Sequence, residues 1–88
     1  RYQDTKGWIL YKAGRYYDAL QYLLKAAEND NEEPVILDHT GDALLAVGRK
    51  NEAISFWTES HKLSPEPAVA GKLRQHGAPV PEQLHEPL

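Results

Sequence analysis

Apolar residues recur along this chain at helical spacing and divide it into five segments. Between residues 16 and 28, small and branched apolar side chains repeat at i, i+1, i+4, i+5 and i+8, which places them on one face of an α-helix: Ala19, Leu20, Leu23, Leu24 and Ala27. A similar stripe recurs later as Ala53, Ile54, Trp57 and His61. The pattern predicts helices over about residues 2–13, 16–28, 34–47, 51–62 and 65–76.

Glycine and proline mark the ends of these predicted helices. Gly14 and Gly48 follow the first and third, at the position where a left-handed residue commonly ends a helix. Pro34 suits the first turn of the third helix. Ser64 is predicted to cap the amino end of the fifth helix, which would then begin at Pro65.

The chain also repeats itself with a period of 34 residues. Identical residues at this interval include the pairs Gly7 and Gly41, Leu10 and Leu44, Gly14 and Gly48, and Ala19 and Ala53. A period of this length is typical of stacked helical units that bury apolar faces against their neighbours. We expect one domain over residues 1–77, with repeat 1 at about 1–31, repeat 2 at about 32–65 and a capping helix at about 65–76, then a proline-rich extended tail over 78–88.

The repeated positions resemble the tetratricopeptide repeat, a helix pair with the pattern W-x2-L-G-x2-Y, then A-x3-F, then P. The first unit supplies Gly7, Leu10, Gly14, Ala19 and Leu23, and the second supplies Leu37, Gly41, Leu44, Gly48, Ala53, Trp57 and Pro65. The local sequences over residues 4–8 and 37–42 resemble the closing repeats of bacterial arrays of this family. The resemblance implies an all-α right-handed superhelix of helical hairpins. It also implies close helix crossings at Gly7 and Gly41, with Ala19 and Ala53 as the small residues opposite them, and a core position for Trp57.

Lys6 and Thr40 depart from the family pattern, which usually has leucine there. We expect Lys6 to lay its methylene stem along the seam of the first repeat while its ammonium stays in water. In the fifth helix, Val69 and Leu73 are expected to cover the last repeat, and Lys72 is expected on the opposite, water-facing side.

Composition narrows the range of functions. The chain is 41% hydrophobic and 26% charged with a net charge of -3, which argues against nucleic acid as a partner because nucleic acid requires clustered Lys and Arg. No apolar run approaches the ~18 residues that span a bilayer, so membrane insertion is not expected. Without cysteine there is no thiolate zinc site. Without methionine the chain looks like a piece of a longer protein, and its compartment, envelope or cytoplasm, stays open.

In the tetratricopeptide family, partners bind the concave face lined by the first helix of each repeat. The resemblance places eight residues on that face: Asp4, Trp8, Tyr11, Lys12, Asp38, His39, Asp42 and Leu45. Trp8 and Tyr11 share a helix face at i, i+3, and Asp38 and Asp42 do so at i, i+4. An aromatic patch beside carboxylates predicts a protein or peptide partner with apolar or basic character. The Lys, Asn and Arg clamp of the chaperone-binding members is not matched here.

Alternative interpretations remain open at this point. The first interpretation is a protein-interaction scaffold within a larger protein. The alternative is a purely structural cap of a longer solenoid, or a self-association module with no ligand in its groove. A homo-oligomer is compatible with self-association. In these cases Trp8 would pack on a neighbouring repeat. His39 with Asp38 and Asp42 offers too few ligands for a metal site, and no serine has a base at usable spacing. We therefore predict no catalytic residue, no metal and no cofactor, and a protein that is not an enzyme.

Overall fold

A computed structural model describes residues 2–81 of the chain. Within this part five α-helices follow one another: α1 (Tyr2–Lys12), α2 (Tyr16–Asn29), α3 (Pro34–Ala46), α4 (Lys50–Leu63) and α5 (Pro67–Gln75). No strand occurs among the described residues, so the all-α prediction is confirmed. Most of the predicted tail, residues 82–88, lies outside the described residues, as does residue 1.

The predicted helix ends at Gly14 and Gly48 are confirmed by their backbone geometry. Their φ angles are 83° and 87°, in the left-handed region that glycine adopts without a steric penalty. After each glycine the next amide donates to a carbonyl five residues back, Arg15 to Leu10 and Arg49 to Leu44, both at 2.9 Å. The two hairpins therefore end their first helices with the same turn.

The start of α5 differs from the prediction. Ser64 is not its N-cap; it ends α4 in an extended conformation, and its amide donates to the Ser60 carbonyl. The helix begins at Pro67, with Glu66 extended at the N-cap position. A proline disfavours helical backbone in the residue before it, so Pro67 keeps Glu66 out of the helix and delays the start by two residues relative to Pro65.

Close crossings at Gly7 and Gly41 hold each hairpin together, as predicted. A Cβ atom at Gly7 would lie 2.7 Å from Leu23 Cγ, and one at Gly41 would lie 2.5 Å from Trp57 Cδ1 and Nε1. The nearest side chains are thus Leu23 and Trp57, rather than the predicted alanines of α2 and α4. Leu23 and Trp57 are themselves 34 residues apart, so both hairpins pack through the same pair of positions.

The main core runs through both hairpins into α5. Its buried members are Ala19, Leu20, Leu23, Ala43, Leu44, Ala53, Trp57, Val69 and Leu73. Trp57 is 1% exposed, which confirms the predicted core position. Ala78 and Val80, from the segment predicted as a tail, also pack on this core. Helix α1 packs on α2, α3 packs on both α2 and α4, and α5 packs on α4. Because α1 and α3 both pack on α2, one face of α1 lies beside one face of α3.

Candidate functional site

Aromatic rings from α1 and α3 form one stack at the place where the two helices meet. The Trp8 ring lies 4.7 Å from the Tyr11 ring at an interplanar angle of 4°, and 3.7 Å from the His39 ring at 8°. All three side chains are partly exposed. Tyr11, Trp8 and His39 are hereafter the ring stack. Helical spacing brings Trp8 and Tyr11 together, whereas His39 is added by the packing of α3 against α1.

Charged groups contact two members of the ring stack, Asp4 at His39 and Lys12 at Trp8. His39 Nδ1 lies 3.2 Å from Asp4 Oδ1, and both side chains are 18% exposed. The Lys12 ammonium lies 5.4 Å from the centre of the Trp8 ring, within the range of a cation–π contact. Five of the eight residues predicted for the site are therefore in one cluster.

Lys72, on α5, engages two of the remaining predicted residues. Its Nζ donates to Asp38 Oδ1 at 2.7 Å and to Asp42 Oδ1 at 2.9 Å. The expectation that Lys72 faces water is therefore wrong, because α5 turns this side chain toward α3. Because the Lys72 ammonium pairs with Asp38 and Asp42, it reduces the negative potential that was expected from these two carboxylates. Leu45, the eighth predicted residue, is partly buried and packs against the main core.

Burial and neighbouring charges shift the pKa values of Asp42, Lys72 and Tyr11. Desolvation raises the pKa of Asp42, and the hydrogen bonds from Lys72 and from Trp57 Nε1 only partly oppose it. Desolvation lowers the pKa of Lys72, but the hydrogen bonds and charges of Asp38 and Asp42 outweigh it, so the pKa is raised overall. Desolvation, followed by the charge of Asp42, raises the pKa of Tyr11. At neutral pH Lys72 is therefore a cation and Tyr11 a neutral phenol.

A cavity of about 430 Å³ adjoins the ring stack at His39. Three acidic residues, Glu33, Asp38 and Glu66, are among those that line it, together with Val35, which is 52% exposed. No lysine or arginine is among the described residues that line it. The face thus passes from aromatic rings to an acidic, partly apolar cavity.

Lys72, Glu33 and Glu66 were missed by the sequence interpretation of this face. For Lys72 a signal existed, because it lies 34 residues after Asp38, so the period places it at the position of Asp4 and Asp38 in a third unit. For Glu33 and Glu66 there was none, since both precede a proline at a helix start and their proximity depends on how α5 packs against α4.

Within residues 2–81, no group of three or more His, Cys, Asp or Glu side chains is arranged to hold a metal ion. None of the described helices combines the length and the apolar character needed to cross a bilayer. Comparison with protein-family models and with curated proteins finds no match to this sequence. The interpretation of this face therefore depends on its geometry and on the internal repeat.

Proposed function

We propose that this chain is a protein-interaction module of tetratricopeptide type, in which the ring stack binds a segment of another protein. The 34-residue period and the equivalent pairs Gly7 with Leu23 and Gly41 with Trp57 support the proposed repeat and its continuation as a right-handed superhelix. The observation that carries the function is the ring stack itself. Partly exposed rings fixed by neighbours present apolar area without a large entropic cost on binding.

The neighbouring cavity supports a basic residue in the partner segment. A peptide with an aromatic or apolar anchor on the ring stack would extend past His39 toward the carboxylates of Glu33 and Glu66. Lys72 already neutralises part of the charge of Asp38, so the charge preference arises mainly from the two glutamates. With so small a surface, affinity is expected to be on the order of micromolar or weaker.

Three matched peptides test this proposal. Each is short, acetylated and amidated, with one phenylalanine followed by two lysines, two serines or two glutamates. Titrations are followed by the NMR shifts of the Trp8 indole N–H and the His39 amide. We expect the lysine peptide to bind best, the serine peptide less well and the glutamate peptide least, with binding lost when phenylalanine becomes alanine.

Variants of the chain identify the surface. Trp8→Ala should abolish the shifts at His39, whereas Tyr17→Ala, at an aromatic side chain on α2 that is 69% exposed, should leave binding unchanged. If no peptide shifts Trp8 or His39, or if the glutamate peptide binds best, the proposed function is wrong. A module that serves only as a structural cap would give the first of these results.

A further inference from the structure

Each face of the Trp8 indole has another ring against it. The Tyr11 and His39 rings both lie nearly parallel to the indole, with centres 4.7 Å and 3.7 Å from its centre. Two rings this close to one centre would overlap if they lay side by side on the same face, because carbon atoms in contact are about 3.5–4.0 Å apart. They therefore lie on opposite faces, and the indole is a poor surface for a partner's side chain to stack on.

His39 belongs both to the ring stack and to the lining of the cavity of about 430 Å³. Trp8 covers one face of its imidazole, and no second ring packs on His39 among the residues that the structure describes. At the other end of the ring stack, the Tyr16 ring packs edge-on against Tyr11, at 5.3 Å and 60°. The ring face that the stack can offer beside the cavity is therefore the face of His39 away from Trp8.

The ionisable residues that line the cavity offer acceptors to a ligand, since apart from His39 they are acidic. His39 Nδ1 lies 3.2 Å from Asp4 Oδ1, and because a carboxylate can only accept, Nδ1 carries the hydrogen and donates it. A neutral imidazole then has no hydrogen on Nε2. The Ser60 hydroxyl is also engaged, because it donates to the Pro34 carbonyl at 2.8 Å. A cation with several N–H donors therefore suits this cavity, and an anion does not.

Two carboxylates of the cavity have no other task within the described part of the chain. Glu33 and Glu66 stand at the N-cap positions of α3 and α5, but neither caps its helix with its side chain. Neither pairs with a cation among the described residues, whereas Asp38 already accepts from Lys72. Val35 adds an apolar surface along which the methylene stem of a long side chain can lie.

We propose that the cavity is a subsite for an arginine side chain of the partner segment, whose guanidinium stacks on the open face of His39 and donates to Glu33 and Glu66. This inference rests on the proposed function and names the basic residue that the function requires. Arginine is favoured over lysine because its guanidinium is planar, stacks on aromatic rings and carries five N–H donors, whereas an ammonium is a compact point charge with three.

Matched peptides test the choice of arginine. The peptide with one phenylalanine and two lysines is compared with versions in which both lysines are arginine or both are citrulline, whose planar side chain is uncharged. Titrations are run at pH 8, where imidazole side chains carry little charge, and are followed by the signals of Val35, His39 and the Trp8 indole. We expect the arginine peptide to bind about fivefold more tightly than the lysine peptide, and the citrulline peptide to bind less tightly than either.

Variants of the chain separate stacking from charge. His39→Leu removes the planar ring and should bring the affinities for the arginine and lysine peptides to within about twofold of each other, while His39→Phe keeps a ring and should keep the preference. Glu66→Gln should weaken both basic peptides. Glu59→Gln, at a side chain on α4 that is 62% exposed and does not line the cavity, should weaken neither. Thermal unfolding checks that each variant is folded.

The outcomes separate this inference from the proposed function. Equal affinity for the arginine and lysine peptides, or an arginine preference that persists in His39→Leu, overturns the arginine subsite and leaves peptide binding at the ring stack in place. Tight binding of the citrulline peptide also overturns the subsite, because it would show that charge is not recognised. If no peptide shifts the Trp8 or His39 signals, the proposed function is wrong and the inference falls with it.

Discussion

Two junctions on one face of the molecule are built from different chemistry. Where α1 meets α3, Asp4 pairs with His39, and the His39 ring stacks on Trp8. Where α3 meets α5, Asp38 pairs with a lysine, Lys72. Asp4 and Asp38 are equivalent in the 34-residue period, so both junctions begin from the same carboxylate.

The junctions diverge one turn further along each helix. The first hairpin has Trp8 at this position and the second has Asp42. Asp42 accepts from Lys72 and from the indole N–H of the buried Trp57, so its hydrogen-bonding capacity is used inside the fold. Trp8 instead remains partly exposed in the ring stack. The same repeat position is thus part of an internal network at one junction and part of an open aromatic surface at the other.

We expect the largest loss of stability when a methyl group is added at Gly41, where α3 crosses α4 next to the second junction. Gly41→Ala places a Cβ atom 2.5 Å from the Trp57 ring, which must shift and lose its hydrogen bond to Asp42. We expect a loss of about 3 kcal/mol in the free energy of unfolding, the upper part of the range for overpacked cores. Gly7→Ala meets the smaller Leu23 side chain, at 2.7 Å from its Cγ, and breaks no side-chain hydrogen bond there, so it should cost about 1 kcal/mol. Urea unfolding measures both, and equal losses would contradict the comparison.

We expect the next largest loss of stability when Lys72, the cation at the second junction, is replaced. Lys72→Met leaves Asp38 and the largely buried Asp42 without their counter-ion, which we expect to cost about 2 kcal/mol after allowance for solvent screening. Lys12→Met, on the exposed side of the ring stack, should change stability by less than about 0.5 kcal/mol. Thermal unfolding, together with faster amide exchange in α5 for the first variant alone, checks this. Similar stability for the two variants would show that the ion pairs do not hold α5.

At the first junction, binding should be affected more than stability. Trp8→Ala removes ring contacts with Tyr11 and His39 and should cost on the order of 1 kcal/mol of folding free energy. The same change should cost at least about 1–2 kcal/mol of binding to the phenylalanine–lysine peptide. Calorimetry and urea unfolding on one preparation separate the two. A large loss of stability with unchanged binding would make Trp8 a packing residue and favour the structural interpretation.

We expect the smallest change in the free energy of unfolding to come from deprotonation of Lys72 and Tyr11 at alkaline pH. The pKa of Lys72 is raised from 10.5 and that of Tyr11 from 10.0, so in each case the folded state holds its proton more tightly than the unfolded chain. Their contribution to stability is complete below about pH 10 and is lost as the pH rises through the raised values. We expect the free energy of unfolding to fall above pH 10, and to fall less steeply in Lys72→Met and Tyr11→Phe. Urea unfolding at several pH values measures these slopes; equal slopes in all three proteins would contradict the assignment.

Local patterns in the sequence determined the helices and many of the residues on each face. The apolar stripes of α2 and α4, and the helix ends at Gly14 and Gly48, depend on residues within one or two turns of each other, so they were predictable. The resemblance to the tetratricopeptide repeat added the expectation that Gly7 and Gly41 lie at close crossings. The all-helical character is confirmed, whereas the tetratricopeptide arrangement remains a prediction.

Tertiary structure decided which of the side chains on this face contact one another and which stay exposed. The contact between Trp8 and His39, and that of Lys72 with Asp38 and Asp42, join side chains about one repeat apart in sequence, and they depend on how neighbouring helices pack. No local propensity or spacing measures that packing. The sequence therefore determined the helices and the spacing of the side chains along each one. Only the packing of α1, α3 and α5 brought Lys72 to the face, left Trp8 partly exposed and bound Asp42 within the fold.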